Sequence, residues 1–151
     1  MRISLWCIGK KEPFYSEIAA DLSKMIGRFA RFEANDLFPK EVALAQQSGE
    51  QEARAAYTKL LRPKMAGMNI ALDPAGQELD SHAFAQMLEK SAGQITFFIG
   101  GAYGFERSFL GEMDKIVSLS KMTMSHRIAK VVLLEQIYRA LTILNHHPYH
   151  K

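Results

Sequence analysis

Several groups of residues in this sequence have types and spacings suited to chemistry. His126 and Lys130 stand four apart at the start of a long apolar-patterned segment, with Arg127 beside them. Two cationizable groups on one face near a helix N-terminus do not help that helix, because its dipole end is already positive. Either Lys130 runs its methylenes along the helix start to reach solvent, or the pair faces a negative group: a phosphate, a carboxylate or a polarised base. A second group is the run Ile99-Gly100-Gly101-Ala102-Tyr103-Gly104. Glycines there let backbone approach a ligand with no Cβ in the way, although a tight strand-to-helix turn uses the same residues. A third is the ending His146-His147-Pro148-Tyr149-His150-Lys151. Its histidines invite a metal, but Pro148 interrupts helical geometry and no cysteine or carboxylate stands beside them, so no metal site is expected. The plainest alternative for such an ending is a disordered tail.

Elements must hold these groups in place. Arg2 to Ile8 is β-rich and closed by Gly9, and Pro13 to Ile26 carries a helical pattern with Pro13 placed to start it and Gly27 to end it. Phe29 to Ala34 reads as a second strand, and Pro39 to Met65 as one helix or two broken near Ser48-Gly49. Met68 to Leu72 reads as a third strand, stopped by the turn residues Asp73-Pro74-Ala75-Gly76. Asp80 or Ser81 caps a helix reaching about Ser91, and Ile95 to Ile99 is a strand of the buried type. A helix from Arg107 to Met113, a strand from Ile116 to Leu119 and a long helix from Ser125 to Leu144 complete the series. Strands alternating with helices predict an α/β fold: a mostly parallel sheet with helices on both faces. Three loops then follow strand ends, at Leu72 to Gly76, Ile99 to Gly104 and Leu119 to Met124, on the edge where open α/β sheets bind ligands. The first strand is followed by a lone glycine, which excludes an N-terminal dinucleotide fingerprint.

With 151 residues and no repeat or linker, the chain is expected to form one domain over 1–151. Hydrophobic residues make up 48%, enough for a real core and against disorder. The longest obvious apolar run, Val131 to Leu134, is far too short for a membrane span. A single cysteine, Cys7, excludes an intrachain disulfide and makes a reducing, cytoplasmic setting the default. The net charge of +3 raises the odds of a polyanionic partner only slightly.

The last helix carries a further clue. Glu135, Gln136, Arg139 and Thr142 gather within about 120° of its circumference, and apart from Lys130 the rest is apolar. A terminal helix covering one side of a sheet needs a narrower apolar stripe. A second subunit packed on this helix is the simplest outlet, and burial on all sides within one chain is the alternative.

The order of these pieces resembles a known family. The glycine loop, the segment Leu119-Ser120-Lys121-Met122-Thr123-Met124-Ser125-His126, the helix Val131-Val132-Leu133-Leu134-Glu135-Gln136-Ile137-Tyr138-Arg139-Ala140 and the ending Pro148-Tyr149-His150-Lys151 look like the 23S rRNA pseudouridine N3-methyltransferase family of the SPOUT class. The resemblance covers the whole chain and is densest from Ile95 onward. It implies a C-terminal trefoil knot, a feature that composition and periodicity do not show. It implies S-adenosyl-L-methionine bound by the three loops, with Leu72, Gly100, Gly101, Gly104, Leu119, Ser120, Lys121, Met122, Thr123 and Met124 as cofactor-binding candidates. It also implies a homodimer through the C-terminal helix, acting on 23S rRNA in the assembled ribosome.

Methylating N3 of a pseudouridine requires loss of an imino proton, hence a base or a partner for the developing negative charge. The resemblance makes His126, Arg139, Tyr149 and His150 the catalytic candidates, His126 or His150 as base and Tyr149 stacked on or bonded to the substrate base. Arg127 and Lys130 are the substrate-binding candidates. Here the chain departs from the family, which carries proline before and often after the histidine and arginine three residues further along. Ser125 in the first of these places is a good helix cap, whereas Lys130 in the last cannot reproduce a bidentate arginine contact. The alternatives are a SPOUT methyltransferase for another rRNA or tRNA site, and a non-catalytic RNA-binding module of the same fold.

Overall fold

The computed structural model describes residues Met1–Lys151. Five strands, β1 (Arg2–Ile8), β2 (Arg31–Leu37), β3 (Met68–Glu78), β4 (Gln94–Ile99) and β5 (Lys115–Ser118), form one parallel sheet in the order β2-β1-β4-β3-β5. Six helices flank it: α1 (Pro13–Ile26), α2 (Lys40–Ser48), α3 (Glu50–Leu61), α4 (Ser81–Glu89), α5 (Arg107–Leu110) and α6 (His126–Leu144).

The two-residue period of the strands sorts their side chains onto two cores. Ile3, Leu5, Ile70, Ile95 and Phe97 pack with α1, α4 and α6, whereas Ile8, Ala71 and Phe98 pack with α2, α3 and α5. Residues Ile95 to Ile99 are all buried, as covering both faces of a parallel strand demands. Helix α6 lies against both α1 and α4 and buries Leu133, Leu134, Ile137, Tyr138 and Leu141. Much of its wide apolar surface is therefore covered within the chain. The apolar side chains left open nearby are Phe14 and Ile18 of α1 and Ile128 of α6.

Several expected boundaries move. The second strand runs from Arg31 to Leu37 instead of Phe29 to Ala34, because Phe29 and Ala30 still bond back to Ile26 in the turn closing α1. The long polar segment is two helices parted at Gly49, followed by a 3-10 turn at Arg62–Lys64. The helix starting at Arg107 ends at Leu110 rather than Met113, as the Gly111 and Glu112 amides close onto Arg107 and Phe109. The third strand does not stop at Leu72. It bulges outward and resumes, so that Leu72 and Gln77 both face Val117 of β5. Asp73 shapes the excursion by accepting the Ala75 amide at 2.9 Å. Gly76 lets it return, since a Cβ there would stand 2.7 Å from the Ile116 backbone.

Candidate active site

The three strand-end loops enclose a cavity of about 530 Å³. The β3 excursion contributes Leu72, Asp73 and Pro74, and the loop after β4 contributes Gly100, Gly101, Ala102, Gly104 and Phe105. The segment after β5 contributes Leu119, Ser120, Met122, Thr123 and Met124, and the start of α6 adds Ser125, His126 and Ala129. Local hydrogen bonds hold each wall. The Gly104 amide closes a turn onto the Gly101 carbonyl at 3.1 Å, with Gly104 at φ 72°. Ser118 donates its hydroxyl to the Ser120 carbonyl at 3.0 Å, and the Ser120 hydroxyl accepts the Met122 amide at 3.0 Å. Of the residues expected at a cofactor, all but Lys121 line this cavity; Lys121 is exposed, its ammonium 3.9 Å from Glu78. Sequence reading missed Phe105 and Ala129, whose apolar patterning marks them only as core.

His126 forms part of the wall. Its Nε2 is buried without a hydrogen-bond partner, and its ring packs so closely on Gly9 that any Cβ there would overlap the imidazole. Burial, reinforced by the Arg127 charge and opposed by Asp36 and Glu12, pulls its pKa below the ordinary 6.5. The imidazole is thus held as a neutral base. The cations beside it are engaged. Lys130 Nζ donates to both carboxylate oxygens of Asp36, at 3.0 and 2.8 Å, and Arg127 pairs with Glu12. The negative group that Lys130 faces is a carboxylate from β2, a partner too distant in sequence for any local pattern to reveal. Cys7 lies near this pair, and burial pushes its thiol up to about 12, which rules it out as a nucleophile at neutral pH.

The tail is docked, against the alternative of a disordered end. Glu135 organises it. One carboxylate oxygen accepts Arg139 Nη2 at 2.5 Å and the Tyr149 hydroxyl at 3.1 Å, and the other accepts Gln136 Nε2 at 2.7 Å. The Arg139 guanidinium stacks over the Tyr149 ring at 4.9 Å, and its Nη1 lies 3.2 Å from His150 Nδ1. The His150 ring meets His82 edge-on at 4.9 Å. No three histidine, cysteine or acidic side chains gather as a metal would need. Arg139, Tyr149 and His150 are therefore together, while His126 sits alone at the other end of α6. Glu135 escaped notice as a hub, although its place one turn before Arg139 is the signal for such a pair.

The cavity has the size and lining for the methyl donor that the family resemblance implies. Its volume lies in the range of cofactor pockets, roughly 300–1,000 Å³. Apolar walls from Leu72, Ile99, Leu119 and Met124 suit an adenine and a methionine chain, and exposed glycine backbone and serine and threonine hydroxyls supply polar contacts. The lining at Gly100 also leaves little room for a side chain, because a Cβ would stand 3.2 Å from the Gly104 carbonyl.

Comparison with known proteins agrees with this architecture. A probable methylase family protein from Haemophilus influenzae superposes with a TM-score of 0.61 at 13% identity, covering 95% of this chain and 66% of that one. A probable methyltransferase from Bordetella pertussis gives 0.57 at 17% identity, covering 93% and 96%. At such identities these structures establish the fold alone. Residues 1–150 match the family model described as "Predicted SPOUT methyltransferase", and the chain belongs to that SPOUT methyltransferase family. Its relatives narrow the class further. A protein of Nitratiruptor is 50% identical over 153 residues, covering 99% of both chains, and one of Aliarcobacter butzleri is 43% identical over 152 residues, covering both entirely. Each is named ribosomal RNA large subunit methyltransferase H.

Proposed function

We propose that this chain is a single-domain, cytoplasmic methyltransferase that transfers methyl from S-adenosyl-L-methionine to N3 of a pseudouridine in 23S rRNA of the assembled ribosome. The observation that carries the reading is the cavity ringed by the three loops, in a chain matched end to end by relatives named as large-subunit rRNA methyltransferases. The convergence of the β4 and β5 loops on that one cavity also supports the trefoil knot of the family resemblance, with the segment from β5 into α6 as the knotted part.

Bound S-adenosylmethionine supplies an electrophilic methyl on a sulfonium. The residues expected at the cofactor, Lys121 set aside, form its cradle. His126, held neutral and lining the cavity, is the candidate to accept the imino proton of the target base. Tyr149 and His150, backed by Arg139, form a second group suited to holding and polarising that base. From His126 to Arg139 is thirteen residues of α6, or about 20 Å at 1.5 Å per residue. One chain does not bring the two groups to one substrate. A homodimer packed antiparallel through α6 does, by laying the tail of one copy beside the cavity of the other. The exposed Phe14, Ile18 and Ile128 flank that surface and support it as the contact.

Transfer of labelled methyl to free 23S rRNA, isolated large subunits and whole ribosomes, all from a strain lacking its own enzyme of this family, tests the proposal. Label on assembled ribosomes alone, mapped to a pseudouridine, is the expected result. Label absent from all three while the methyl donor still binds would overturn the substrate.

A further inference from the structure

None of the side chains of α2 and α3 reaches the cavity, yet this helical pair holds one of its walls. Arg54 Nε of α3 donates to the Tyr103 carbonyl at 2.8 Å, and its guanidinium is steadied by an ion pair with Glu50 one turn earlier. Tyr57, one turn on and completely buried, donates its hydroxyl to Gln46 of α2 and sets its ring against the glycine loop. The fit is tight: a Cβ on Gly101 would stand 2.5 Å from the Tyr57 hydroxyl and 3.0 Å from Ile8 Cγ2. The loop's back is thus bonded to α3, while its front, at Gly100, Gly101, Ala102 and Gly104, faces the cavity.

We propose that Arg54 and Tyr57 are positioning residues for the methyl donor: they clamp the backbone of the glycine loop and set how tightly the cavity binds. The inference rests on the donor-cavity reading above. A loop left free to sample other conformations must be ordered on binding, and that cost falls on affinity rather than on the reaction itself. Losing a hydrogen bond donated by a charged but partly exposed group corresponds to roughly tenfold in affinity.

Two measurements on the full-length chain test it. Calorimetric titration with S-adenosylmethionine should show Arg54→Ala weakening Kd about 10-fold or more, and Tyr57→Phe several-fold, with Arg54→Lys recovering part of the loss. Methylation at saturating donor should return to within about twofold of wild type, a change in KM without a change in kcat. In the absence of donor, amide exchange at Ala102 to Gly104 should quicken in Arg54→Ala while β1 and β4 keep their protection. Wild-type affinity in both variants, or unchanged exchange in the loop, would overturn the clamp. A wild-type chain that bound no S-adenosylmethionine would overturn the donor-cavity reading and the proposed effect on affinity with it, while the exchange result would still report whether the clamp exists.

Discussion

Replacing Lys130 with methionine separates two roles for this residue. As a grip on substrate phosphate, Lys130 would be dispensable for folding. The structure ties it instead to Asp36, with side chains only 14% and 16% exposed and both carboxylate oxygens engaged. Breaking a buried pair from one side costs about 3–5 kcal/mol, since a charge is left unpaired away from water. The residual exposure of both groups softens this to about 2–3 kcal/mol. For a chain of 151 residues that is a fall in Tm of about 5–10 °C. Urea unfolding followed by fluorescence of the single tryptophan, Trp6, reads the loss directly. Lys130→Met with Asp36→Asn removes both charges and should return stability to within about 1 kcal/mol of wild type, a coupling that only a direct pair explains. Lys130→Met with stability within about 0.5 kcal/mol of wild type, or a double variant no better than the single, would refute this account and return Lys130 to the substrate.

The remaining predictions address the two halves of the site. His126→Phe should leave donor affinity within a few-fold and slow methylation by roughly 10²–10⁴, the range for losing a general base. Because the His126 pKa lies below 6.5 in the folded chain, the wild-type rate plateau should extend to pH values under 6.5, and a bend at or above it would count against His126 as the base. Stability has a matching sign: the unfolded imidazole gains a proton as pH falls through about 6.5, while the folded one resists, so unfolding becomes easier until the lowered value is passed. Urea titrations of wild type and His126→Phe on either side of that value isolate the difference. His150→Ala should cut turnover while the donor still binds, and an unchanged methylation rate would remove His150 from the mechanism. Gly76→Ala should cost about 1–3 kcal/mol, read by thermal melting, because its Cβ would meet the Ile116 backbone at 2.7 Å and neither strand can yield freely.

How much of this was legible in the sequence follows the range of the interactions involved. Strand and helix periodicities are local, and they placed all five strands and the three loops that close on one cavity. The failures lie where a distant partner decides. Asp73-Pro74 is rightly a turn, but β5 recaptures the chain at Gln77 and extends β3 beyond it. The polar residues and proline of the tail leave a loose end as an alternative, and what docks it is Glu135, fourteen residues back, which gives Tyr149 an acceptor. Arg54 and Tyr57 carry no sequence signal at all: Arg54 reaches a backbone carbonyl some fifty residues away, Tyr57 bonds Gln46 of the neighbouring helix and packs on Gly101, and any helix surface offers an arginine or a tyrosine.

The same distinction explains how the site is divided. A cavity built from backbone tolerates few side chains at the glycines but makes modest demands elsewhere, so its lining is recognisable by loop composition. The proposed acid–base group depends on its surroundings: His126 is held neutral because burial and the Arg127 charge outweigh Asp36 and Glu12, and Asp36 is itself occupied by Lys130. Lys130 therefore reaches the chemistry indirectly. Removing it would free the Asp36 carboxylate to raise the His126 pKa toward its ordinary value, and the acid limb of the pH–rate profile of Lys130→Met should move upward. A profile that stays put would mean that burial alone sets the base.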